Sequence, residues 1–172
     1  MDKIKIRAAV QSDCLWIARL MKELSDMESI PMGSNCTKES LEQHAFGDQP
    51  LIYFLVAEQI DGEERNINFD EKLVGYVMYY ITYSTWEGKA AFMEDLYVSP
   101  DWRRKGLGVA LWRAATKEAL ERGCCRWNFT ALDWNTNALT FYDKHGAVDT
   151  TVVEGWHFFR MFLSEMKEFS NA

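Results

Sequence analysis

Ile4 to Ala8 alternates apolar and charged residues, as a strand with one buried face does. The period then lengthens. Leu15, Ile17, Leu20, Met21 and Leu24 recur at roughly helical spacing, which predicts a helix beginning near Ser12 or Asp13. Pro31 and Gly33 interrupt "SIPMGSNC", and Thr37 can cap a short helix that runs towards Phe46 and stops at Gly47. "LIYFLVAEQI" and "KLVGYVMYYIT" are rich in aromatic and β-branched residues and predict two strands. The polar "DGEERNINFDE" between them reads as a hairpin loop and the best candidate for mobility.

Ala90 to Val98 predicts a further strand, Leu107 to Arg122 a helix stopped by Gly123, and "CRWNFTAL" another strand. Asn135 or Thr136 can cap a helix through His145, with Gly146 as its stop, and "AVDTTVV" and "WHFFRMF" read as two short closing strands. The order β-α-α-β-β-β-α-β-α-β-β describes an α/β chain with a largely antiparallel first half. It contains one βαβ unit over residues 90 to 131. The whole of 1–172 reads as one domain, since 172 residues at 48% hydrophobic content supply one sizeable core and little for a second.

Charge and cysteine content narrow the function. A net charge of -7 disfavours a nucleic-acid partner and favours a cationic one. Cys14, Cys36, Cys124 and Cys125 form no C-x-x-C pair, and His44, His145 and His157 are scattered, so no metal set is expected. The start of the chain has no apolar signal segment and no run reaches membrane-spanning length, so a soluble cytoplasmic protein is expected.

Against that acidic background, "VSPDWRRKGLGVALWRAA" places Arg103, Arg104 and Lys105 before Gly106 and Gly108 at a strand-to-helix junction. A helix N-terminus exposes unpaired N–H groups and partial positive charge, so the junction is either a solvated turn or an anion site. Two phosphate motifs fail: G-x-x-x-x-G-K-[ST] is absent, and "GLGVAL" carries Leu111 where the dinucleotide fingerprint needs Gly or Ala. No G-x-S-x-G elbow or Cys–His pair suggests a nucleophile.

The spacing R-x-x-G-x-G from Arg103 to Gly108 resembles the signature of the Gcn5-related N-acetyltransferase (GNAT) superfamily. "VGYVMYYITYSTWEGK", "EDLYVSPDWRRKGLG", "LDWNTNALTFYDKHGA" and "EGWHFF" resemble its spermidine/spermine and thialysine acetyltransferase branch. With "IRAAVQSDCLWIARLMKEL", the resemblance covers nearly the whole chain. It implies a mixed, mostly antiparallel sheet of about seven strands flanked by four helices. It also implies direct transfer of an acetyl group from acetyl-coenzyme A to an amine, commonly by a homodimer.

Residue roles follow from the resemblance. Glu94 would accept the ammonium proton, directly or through water, and alternation would place it on one sheet face with Leu96. Tyr142 would protonate the departing thiolate and border the cofactor. Leu96, Tyr97 and Val98 would meet the acetyl-pantetheine arm through backbone groups. Arg103, Arg104, Lys105, Gly106, Leu107, Gly108 and Val109 would hold the diphosphate. Asn135, Thr136, Asn137 and Ala138 would complete the cofactor's contacts. Met27, Glu28, Trp86, Glu94, Asn128, Phe129 and Thr130 would border a small cationic amine.

Polyamine-acetylating members carry an acidic residue two positions before the loop tryptophan, where this chain has Ser84. That absence favours thialysine or a lysine-like amine over spermidine and spermine. A polyamine N-acetyltransferase, a non-catalytic acyl-coenzyme A-binding module and a nicotinamide-dependent oxidoreductase are the alternatives.

Overall fold

The computed structural model describes residues 3–60 and 72–171. The loop expected over 61–71 lies outside the described residues. Strands β1 (Ile4–Ala8), β2 (Tyr53–Gln59), β3 (Leu73–Ser84), β4 (Gly88–Val98) and β5 (Trp127–Phe129) form one sheet in the order β1-β2-β3-β4-β5. The first four are antiparallel neighbours, and β5 joins β4 in parallel after a helical crossover. Helices α1 (Cys14–Glu28) and α2 (Lys38–Phe46) precede β2, α3 (Leu107–Glu121) forms the crossover, and α4 (Thr136–Lys144), α5 (Thr150–Glu154) and α6 (Leu163–Ser170) follow β5. Among the described residues, no helix is long and apolar enough to cross a membrane.

The chain divides into two compact units, Met1–Thr130 and Ala131–Ala172. In the first, helices cover both sheet faces. On one, Cys14, Ile17 and Leu20 of α1 and Leu41 of α2 pack with Phe54, Val56, Tyr76 and Tyr97. Helix α3 buries Leu107, Leu111, Ala115 and Ala119, a four-residue spacing that gives it one apolar stripe. Its two alanines keep that stripe slim, and Gly75 lets it come close. A Cβ at Gly75 would lie 2.8 Å from the Tyr97 carbonyl oxygen and 3.2 Å from Leu111 Cδ1.

The start of α1 is fixed by charge. Arg7 of β1 donates to both Asp13 carboxylate oxygens, at 2.6 and 3.0 Å, and to Glu58 of β2 at 2.7 Å. Asp13 is buried and also accepts from the Val10 N–H at 2.8 Å, so its charge is fully engaged. Thr37 caps α2 as expected, accepting from the Ser40 N–H.

In the second unit Asn135 caps α4, accepting from the Ala138 N–H at 3.1 Å. The two expected closing strands do not form. Asp149 accepts from the N–H groups of Thr151 and Val152, and Gly155 closes α5 at φ 76°, so a capped helical turn overrides the β-branched run "TTVV". Residues 156–162 lie outside any ladder, and α6 follows them. Among the described residues the sheet therefore has five strands rather than about seven, and six α-helices accompany it rather than four.

Gly75→Ala is expected to lower unfolding free energy by about 1–3 kcal/mol, since the added methyl meets backbone and a core leucine. Urea denaturation with an unchanged m-value would read that loss directly.

Candidate functional site

The centre of the site is an irregularity in β4. Met78 of β3 pairs with Asp95 and its successor Tyr79 pairs with Met93, so Glu94 is an extra residue, a β-bulge. Beyond it, Val77 pairs with Leu96 and Tyr76 with Tyr97. Tyr76 donates its hydroxyl to Asp95 Oδ2 at 2.8 Å, and Tyr80 donates to Glu94 Oε2 at 3.3 Å. Residues 76 and 80 of a regular strand share a face, so the bulge places two consecutive carboxylates on the α1 side of the sheet. Leu96 takes the opposite face with Val77, which corrects the expectation that Glu94 and Leu96 lie together.

Strict alternation hid Asp95, which the sequence reading left out of the site. The adjacent acids and the tyrosines four apart on β3 were the available signal. Burial pushes the Asp95 carboxyl up to about 6; the Tyr76 hydrogen bond opposes this, and the charges of Glu94 and Glu28 reinforce it. Burial also raises Glu28, at the end of α1. These acids suit an ammonium ion, which would offset the charge they concentrate.

Strand pairing explains the neighbouring opening. The β4–β5 ladder covers only Ala91 with Trp127, Phe92 with Asn128, and Met93 with Phe129. From Glu94 to Val98, β4 is bonded to β3 on one side and not laddered to β5 on the other. Leu96, Tyr97 and Val98 thus offer a strand edge that an extended chain of amides can join. Asn128 and Phe129 sit beside Phe92 and Met93, next to Glu94, and Thr130 follows them.

The edge leads into the candidate anion site. Gly106 stands at the N-cap of α3 with φ 80°, no side chain caps the helix, and its first turn, beginning Leu107, Gly108, Val109, carries no acidic residue. Two exposed cations, Arg104 and Lys105, beside an uncapped helix N-terminus favour an anion there. Arg104 adopts φ 58°, a left-handed conformation uncommon outside glycine, and is exposed. Lys105 is exposed, donates to the Asp101 carbonyl at 2.8 Å, and lies 5.2 Å from the Trp102 ring centre. Arg103 is turned inward, donating to the Val98 carbonyl at 2.7 Å and the Met27 sulfur at 3.3 Å.

Trp86 occupies the β3–β4 hairpin and is exposed, beyond Gly88, which itself lies six residues along β4 from Glu94, about 20 Å at strand rise. The fold does not bring it to Glu94 within one chain, and this separates Trp86 from the other expected amine contacts. Ser84 is buried, its Oγ accepting from the N–H groups of Trp86 and Glu87, so it organises the turn. In the second unit, Asn135 and Ala138 form the cap of α4, Thr136 and Asn137 lie in its first turn, and Tyr142 is half-buried near its end. The thiols of Cys14, pushed up to about 11 by burial, and of Cys36 and Cys124, also raised by burial, remain protonated at neutral pH.

A sequence model of the acetyltransferase (GNAT) family matches residues 19–147. The chain is 37% identical over 170 residues to a thialysine N-epsilon-acetyltransferase of Bos taurus, covering 98% of each chain. It is 35% identical over 166 residues to the Homo sapiens spermidine/spermine N(1)-acetyltransferase-like protein 1, covering 96% of this chain and 24% of that protein. Among solved structures, an integron cassette protein of V. cholerae superposes with TM-score 0.75 at 19% identity, covering 99% of each chain.

Asp95→Asn should stabilise the protein at pH 7. The folded-state pKa of about 6 exceeds the ordinary 3.8, so above pH 6 the folded state carries an unfavourable charge that asparagine lacks. Below about pH 4 both states of the native chain hold that proton, and the gain should shrink to nothing. Thermal melts across pH 4 to 7 test this; a variant that is destabilised equally at both ends would contradict it.

Proposed function

We propose, from the premise that the chain belongs to the acetyltransferase (GNAT) family and is an acetyl-coenzyme A-dependent N-acetyltransferase, that its acceptor is the side-chain amine of thialysine or a similar lysine-like molecule. The observation that carries the reading is the bulge, which sets Glu94 and Asp95 side by side on one face next to an open strand edge. The name of the bovine relative, matched along 98% of both chains, supports the choice of amine.

Acetyl-coenzyme A supplies an activated thioester. An alkylammonium near pKa 10.4 is neutral only about one part in a thousand near pH 7.4, so its proton must be removed before the nitrogen can attack. Glu94 takes that proton, directly or through one water, while Asp95 and Glu28 hold the cation in place. The nitrogen then forms a bond to the carbonyl carbon, the carbon–sulfur bond breaks, and the second nitrogen proton passes to water as the amide forms. Tyr142 supplies the proton that leaves coenzyme A as a thiol. Support for this role of Tyr142 is its place in "LTFYDKHGA". The helix-terminal amides of Leu107, Gly108 and Val109, with Arg104 and Lys105, hold the diphosphate, and the edge of Leu96 to Val98 orients the pantetheine. Asn135 to Ala138 complete the cofactor site, and residues 1–172 work as one acetyltransferase domain.

The protein also reads as a cytoplasmic homodimer. Val153, Phe158, Phe159 and Phe162 are exposed apolar side chains that a second copy would shield. The free cysteines among the described residues suit a reducing compartment. A single monomeric species by sedimentation at micromolar concentration would overturn the dimer.

Coenzyme A release measured with thialysine, lysine, spermidine and putrescine should rank thialysine first by kcat/KM. A higher value for spermidine would transfer the reading to polyamines. Glu94→Gln and Tyr142→Phe should each lower kcat by about 10²-fold or more, the scale of general acid–base catalysis, with little change in acetyl-coenzyme A affinity. Unchanged turnover would remove that residue from the mechanism.

A further inference from the structure

Arg103 differs from the two cations that follow it. It is half-buried, whereas Arg104 and Lys105 are exposed. Its Nε–H is committed to the Val98 carbonyl at 2.7 Å, a terminal nitrogen donates to the Met27 sulfur at 3.3 Å, and its guanidinium carbon lies 5.4 Å from the Tyr97 ring centre. Tyr97 donates its hydroxyl to Glu23 Oε2 at 2.8 Å, and Ser99 donates to the same oxygen at 3.3 Å. Glu23 and Met27 stand one turn apart on α1.

Three segments are therefore clasped together: the last turns of α1, the end of β4, and the loop that enters α3. The arginine is the piece common to all three. Its fork reaches a carbonyl and a sulfur at once while its plane meets an aromatic ring, a geometry that a lysine ammonium does not reproduce. The next residue after Met27 is Glu28, which ends α1 before Ser29 turns into the left-handed region at φ 56°.

We infer that Arg103 is a positioning residue that ties the diphosphate loop to the C-terminal turn of α1, so that loop and amine-facing helix keep a fixed relation. This rests on the reading that Met27 and Glu28 border the amine. A direct phosphate ligand would act through the donor alone; a clasp acts on the amine as well. The carbonyl of Val98, at the end of the open β4 edge, is held by the same side chain, so the arginine also fixes where that edge stops.

The test is Arg103→Lys and Met27→Leu in the full chain, assayed with acetyl-coenzyme A and with acetyl-pantetheine, which has no diphosphate. The better of the panel amines serves as acceptor. Arg103→Lys is expected to raise the amine KM about tenfold with both donors, the scale of a lost charge-assisted hydrogen bond, with kcat changed less. Met27→Leu, which keeps the volume and removes the sulfur acceptor, should raise the amine KM about threefold with both donors. An Arg103→Lys variant whose amine KM is native with both donors, or whose defect is confined to acetyl-coenzyme A, would overturn the inference. If Arg103→Lys does not fold, an unchanged amine KM in Met27→Leu would overturn it alone.

Hydrogen exchange makes the test independent of which amine is correct. Coenzyme A should slow exchange of the amides from Ser25 to Glu28 in the native protein and leave them unaltered in Met27→Leu. Equal slowing in both would contradict the clasp. A native protein that slows exchange there yet acetylates spermidine best would refute the thialysine reading and leave the clasp standing.

Discussion

The site depends on β4 being held to β3 along its length while its other edge is laddered to β5 only as far as Met93. A strand buried between two partners has no backbone groups to spare. Here β5 is three residues long, so the segment beyond the bulge keeps one edge for an incoming chain of amides. The same segment feeds the N-terminus of α3, where uncapped amides and adjacent cations favour a diphosphate. The proposed pantetheine edge and the proposed diphosphate cradle are consecutive features of one stretch of chain.

The bulge adds chemistry to that geometry. In a regular strand Glu94 and Asp95 would point to opposite faces. One inserted residue brings both to the side covered by α1, each with a tyrosine of β3 as donor. Burial raises the Asp95 carboxyl, a cost to the folded state that a bound cation would offset. This agrees with the general tendency of functional sites to concentrate groups that a stability optimum would separate. The acidic pair and the basic loop follow one another along β4 and the residues after it, so a protein of net charge -7 offers separate places of opposite charge to a polyanionic donor and a cationic acceptor.

Much of this was legible in the residues because the signals were local. The caps at Thr37 and Asn135, the βαβ unit through α3, and R-x-x-G-x-G each announce themselves within a few positions. The bulge was not legible, since alternation across Glu94 looks regular until the partner strand fixes the register. Arg103 was grouped with its neighbours by charge, and only burial and the long-range contact with Met27 set it apart. In "AVDTTVV" the β propensity is overridden by equally local signals, the Asp149 cap and the Gly155 stop.

The most direct measurement is a crystal structure with coenzyme A bound. The account predicts pantetheine amides hydrogen-bonded to the backbone of Leu96 and Val98 along the open edge of β4, with the diphosphate at the N–H groups of Leu107, Gly108 and Val109. A complex in which β5 extends to ladder with Glu94 to Val98 and coenzyme A lies elsewhere would contradict it.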